Sequence, residues 1–164
     1  VSYFAAALAR TSDGWTGQEL DLTDYEDLDG VADALRDVAG DGGGVALLLL
    51  EEDDEYVAVV RVDGGAGSLS EPRVFLSDQR AVLASDVAAM LWAEPEEVDE
   101  DDDEEESVVL AEAVGETDLL ADLGTPAADL IDLCTEEGLL PADVITGIAE
   151  RAGFLDALEE LREG

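Results

Sequence analysis

The chain has 164 residues and is 47% apolar, enough for one packed core with at most a small appendage. Its 44 acids face seven bases, all arginine, for a formal net charge of −37. That balance argues against direct nucleic-acid binding, which needs a basic surface, and against anionic membranes; it suits a basic protein partner.

From the N-terminus, Tyr3 to Ala9 reads as a strand, 11–14 as a turn, and Trp15 to Leu22 as a returning strand. Leu28, Val31, Ala32, Leu35, Val38 and Ala39 then recur at helical spacing, which predicts an amphipathic helix stopped by the glycines of 40–44. Val45 to Leu50 is continuously apolar, as in a central strand buried on both faces. The acids Glu51, Glu52, Asp53, Asp54 and Glu55 connect it to a second strand, Tyr56 to Val62, and the pair reads as a hairpin. Arg73 to Leu76, just after Pro72, predicts a short edge strand. Ser77 is placed to cap a helix running to about Trp92.

This order, β-β-α-β-β-β-α, predicts an α+β fold: an antiparallel sheet with packed helices, over residues 1–93. Residues 94–107 are nearly all acidic and predict a solvated, disordered linker. Residues 108–164 predict a small helical C-terminal segment. Thr125-Pro126 opens one helix there, Pro141 a second, and Phe154, Leu155, Leu158 and Leu161 line a last amphipathic turn.

The missing residue types exclude most chemistry. Without histidine there is no Ser-His-Asp or Cys-His site and no imidazole metal ligand. Without lysine there is no Walker P-loop and no Schiff base. Gly40 to Gly44 follows a predicted helix and opens a strand, the reverse of a phosphate loop. An EF-hand register through Asp27, Asp29 and Gly30 fails, because Tyr25 and Arg36 fall where carboxylates are required. Paired carboxylates carry no information among 44 acids, so the reading is a protein with no enzyme activity and no cofactor or metal.

The lone Cys134 excludes an internal disulfide, reads as a buried structural thiol, and fits a reducing cytosol. The apolar N-terminal stretch has no basic residue ahead of it and makes a poor signal peptide. No run approaches the roughly 18 apolar residues of a membrane span, so a cytoplasmic location is expected.

The candidate partner-binding residues are Glu51, Glu52, Asp53, Asp54 and Glu55, together with Asp99, Asp101, Asp102 and Asp103 of the unbroken acidic run 99–106. Trp92, at a predicted helix end beside that run, joins them as an interface anchor or packs at the core boundary. Two plainer readings of the charge stay open. Arginine-only usage follows from a GC-rich genome, and lysine-poor acidic surfaces follow from adaptation to high salt.

With these residues laid out, the chain resembles the tRNA adenosine deaminase-associated protein family of high-GC Gram-positive bacteria. The segments carrying the resemblance are Tyr3 to Arg10, Val45 to Gly64, Pro72 to Asp78, Asp118 to Pro126 and Cys134 to Asp143. It implies a non-catalytic accessory or regulatory protein that binds the tRNA adenosine deaminase, the zinc enzyme that makes inosine at the anticodon wobble position. The chain lacks the zinc ligands and the catalytic glutamate motif of the deaminase itself. The alternative is a structural or scaffolding module that forms a homo-oligomer or binds an unrelated protein, with no role in tRNA editing.

Overall fold

The computed structural model describes residues 3–11, 14–25, 27–40, 44–52, 56–63, 72–77, 86–91, 114–115, 118–135 and 140–163. Strands β1 (Tyr3–Thr11) and β2 (Gly14–Glu19) form an antiparallel hairpin. A single 3-10 turn at Leu22–Asp24 leads into α1 (Leu28–Ala39). Asp27 caps that helix by accepting from the Gly30 N–H at 3.0 Å, and Gly40, at φ 78°, ends it. β3 (Val45–Glu52) and β4 (Tyr56–Asp63) form the expected hairpin, followed by β5 (Arg73–Leu76) and α2 (Asp86–Leu91).

The α+β reading and its element order hold through Leu91. Among the described residues, six antiparallel strands form one sheet in the order β2-β1-β3-β4-β5-β6. β6 is only Val114–Gly115, paired with Leu76 and Phe75. Arg73–Leu76 is therefore an internal strand rather than an edge strand, because a two-residue segment too short to read in the sequence covers its outer side. Ser77 also bonds to the sheet. Its Oγ accepts from the Val57 N–H at 2.9 Å, extending the β4–β5 pairing; residues 78–85 and Trp92 lie outside the described residues.

β1, β3, β4 and β5 are buried on both faces, and the alternation of side chains assigns each residue to a layer. Ala5, Ala7, Ala46, Leu48, Leu50, Ala58, Val60 and Leu76 face Val31, Ala32 and Leu35 of α1 and Ala88 and Leu91 of α2. Ala6, Leu8, Leu47, Leu49, Val57, Val59 and Phe75 face the opposite way. That second face is covered by the C-terminal helices α3 (Ala127–Thr135), α4 (Pro141–Ala152) and α5 (Leu155–Glu163), through Leu130, Ile145, Ile148, Phe154 and Leu158. The C-terminal segment thus shares a core with the sheet. Continuous apolar strands require this, since a bare second face would leave Leu47, Leu49 and Phe75 in water.

The helix boundaries follow from local chemistry. Pro141 stands at the first turn of α4, where its missing N–H costs nothing, and Gly153 closes the helix at φ 96°. Thr125 does not cap α3: its hydroxyl is fully buried with no hydrogen-bond partner among the described residues. The Pro126 carbonyl accepts the first helical bond instead, from the Leu130 N–H.

Candidate interaction surface

The seven arginines decide what charge the surface shows, and six of them are described. Each of those six is engaged within the fold. Arg36 pairs with Asp33 at 2.9 Å on the exposed side of α1. Arg73 on β5 pairs with Asp118 at 3.1 Å, and Arg151 on α4 pairs with Asp129 at 3.2 Å on α3. Arg162 of α5 donates to the Thr146 hydroxyl at 2.8 Å and the Ala142 carbonyl at 3.1 Å, and lies 5.7 Å from the Phe4 ring. Arg10 lies 5.8 Å from the ring of Trp15, which in turn packs on Phe154 at 4.8 Å.

Arg61 is the one buried member. It sits opposite Leu47 in the sheet, on the second face, and is 8% exposed. Its guanidinium donates to both carboxylate oxygens of Asp122, at 2.6 and 3.0 Å, to Asp63 at 3.1 Å and to the Leu119 carbonyl. The bond to Asp122 raises its already high pKa, against the opposing effect of burial. The same bond holds the Asp122 carboxyl below the usual carboxylate range. A charge placed in this layer needs such fixed partners, and they come from the 118–122 stretch that leads into the C-terminal helices.

Many carboxylates remain outward. Asp29, Asp33 and Asp37 form a stripe at four-residue spacing along the outer side of α1. Asp156, Glu159 and Glu160 are exposed on α5, and Glu19 and Asp21 are exposed at the end of β2. Among the described residues, no group of three or more Cys, Asp or Glu is arranged to hold a metal ion. No helix formed by them is long and apolar enough to cross a membrane. Cys134 lies half-buried against the second core, where burial pushes its thiol up to about 12.

The structure separates the acids chosen from sequence. Glu51 and Glu52 belong to β3, opposite Val57 and Tyr56, rather than to the connecting loop. Glu52 is buried and accepts from the Tyr56 hydroxyl at 2.7 Å; Glu51 is half-buried. Asp53, Asp54, Glu55, Trp92, Asp99, Asp101, Asp102 and Asp103 lie outside the described residues. Sequence reasoning passed over Arg61, although a single arginine within the apolar run Val57 to Val62 marks a buried charge that must find a partner.

Residues 3–155 match the family model described as Rv3753c-like tRNA adenosine deaminase-associated protein. No curated protein and no solved structure matches the chain.

Proposed function

The chain belongs to the tRNA adenosine deaminase-associated protein family, and on that premise we propose that it is a non-catalytic accessory protein that binds the deaminase directly through acidic surface. An enzyme that grips tRNA presents basic surface, and this chain offers the complementary charge. The observation carrying the reading is the internal use of the arginines. With Arg36, Arg61, Arg73 and Arg151 paired to carboxylates within the fold, the outward carboxylates of α1, β2 and α5 meet a partner with little opposing charge from the described arginines, Arg10 and Arg162 being the two that contact neutral groups.

Within the β3–β4 connection, Asp53, Asp54 and Glu55 are the proposed contacts, since Glu52 is committed to Tyr56. Trp92 and the acids Asp99, Asp101, Asp102 and Asp103 are proposed alongside them. Docking there competes with tRNA or modulates its access. The test mixes purified chain and deaminase and follows complex formation and editing across a salt series. A complex at low salt that weakens steeply with salt is expected. No complex at low salt overturns the reading.

A further inference from the structure

β2 ends the sheet on one side, and among the described residues no strand pairs with its outer edge. The register fixes which backbone groups are left there. Leu20 N–H donates to the Ala5 carbonyl at 3.0 Å, and Gln18 and Thr16 stand opposite Ala7 and Ala9. Alternation therefore turns residues 14, 16, 18 and 20 towards β1, and points the N–H and C=O groups of Trp15, Gly17 and Glu19 outward. Three consecutive outward residues make a template for one added strand.

The helix over this edge supplies the charge. α5 lies close on β2 because Gly17 has no side chain: a Cβ there would stand 2.7 Å from Leu8 Cδ1 and 3.2 Å from Leu161 Cδ1. That helix exposes Asp156, Glu159 and Glu160, the strand ends in exposed Glu19, and exposed Asp21 follows two residues on. The exposed guanidiniums nearby, Arg10 over Trp15 and Arg162 on Ala142 and Thr146, keep their charge but are outnumbered by these five carboxylates. A second copy of the chain would set like charges against each other across this edge.

We propose that the outer edge of β2 takes up an extended, arginine- or lysine-rich segment of a partner protein as an additional strand. The backbone bonds supply the pairing, and the carboxylates of α5 and Glu19 select a basic sequence. This deepens the accessory-protein reading by giving the partner's contact a place and a conformation, and it rests on that reading only for the partner's identity.

The test follows amide hydrogen exchange of the full chain with two ten-residue peptides of equal charge. One alternates arginine with valine, and the other alternates arginine with proline and cannot pair as a strand. The valine peptide is expected to slow exchange at Trp15, Gly17 and Glu19 by about tenfold or more, with the proline peptide inert there. Equal effects of the two peptides, or protection that spares these three amides, overturn the proposal. Protection of the three amides by the chain's own concentration, without peptide, also overturns it in favour of a second copy. Glu19→Pro removes one outward donor and no internal bond, so it is expected to weaken the valine peptide about tenfold, whereas Glu19→Gln changes it about twofold. Repeating the exchange with the deaminase separates the two readings. If the deaminase fails to bind while the valine peptide protects the edge, the family-based reading falls and this one stands. If the deaminase binds without protecting the edge, this inference falls alone.

Discussion

Arg61 and Asp122 are joined at two points, 2.6 and 3.0 Å, across sixty-one positions of sequence. The pair ties the stretch before the C-terminal helices to a central strand, and its two ends differ in environment. Arg61 is 8% exposed, whereas the Asp122 side chain is 62% exposed. Asp122→Asn keeps the shape and removes the charge, leaving the guanidinium with Asp63 and the Leu119 carbonyl. The expected loss is about 1–2 kcal/mol, less than the roughly 3–5 kcal/mol of breaking a fully buried pair, because solvent screens Asp122. Urea unfolding of the two proteins measures it.

The same pair sets a pH dependence. Asp122 is held low in the folded state by Arg61, so its contribution is fully present above the unfolded carboxyl value of about 3.9. It is lost as pH falls through the lower, folded value. The stability difference between the wild type and Asp122→Asn is therefore expected to be constant from pH 7 to about 5 and to shrink towards zero in stronger acid. Taking the difference cancels the large charge effects common to both proteins. A gap that widened on acidification would contradict the assignment.

Gly124 follows the 3-10 turn Ala121–Leu123 with φ 100°, a conformation that side chains rarely adopt. A Cβ there would also lie 2.7 Å from the Arg151 carbonyl oxygen and 3.1 Å from its carbon, both backbone atoms at the end of α4. Gly124→Ala combines backbone strain with overpacking, for an expected loss of roughly 3 kcal/mol. Gly40→Ala is the contrast. Its φ of 78° carries strain but nothing lies within 4 Å, so the expected loss is about 1–2 kcal/mol. Thermal unfolding of the two variants should rank them in that order.

Cys134 tests how tightly the C-terminal layer holds. Burial pushes its thiol up to about 12, so almost no thiolate exists at neutral pH. Iodoacetamide is expected to leave the native chain unlabelled at pH 7.4 and to label it promptly in urea. Fast labelling of the native state would mean that α3 opens freely.

The sequence was legible where periodicity was strong. The apolar positions of α1, the unbroken run Val45 to Leu50 of β3 and the β-rich run of β4 specified type and place. β6 was illegible because two residues carry no period. Glu51 and Glu52 looked like loop because a carboxylate signals water, yet the hairpin continues through them and the Tyr56 hydroxyl takes up Glu52. That β2 stands at the end of the sheet among the described residues needs the strand order, and strand order is a long-range property. What did point ahead was the continuous apolar run Val45 to Leu50: a central strand greasy on both sides needs a second covering layer, and the C-terminal helices supply it.

That layer yields the last prediction. α3, α4 and α5 cover Leu8, Leu47, Leu49, Val59 and Phe75, all fully buried. Burying one such side chain contributes about 1.5–3 kcal/mol, so the five together rival the roughly 5–15 kcal/mol of net stability typical of a whole domain. A chain ending at residue 93 would also leave Arg61 without Asp122 and Leu119. Residues 1–93 alone are therefore expected to be insoluble or to bind a hydrophobic dye, and residues 108–164 supplied in trans should restore a soluble complex if the acidic stretch between them serves only as a connection. A soluble 1–93 fragment that unfolds cooperatively at the temperature of the full chain would show that the sheet does not depend on its second layer.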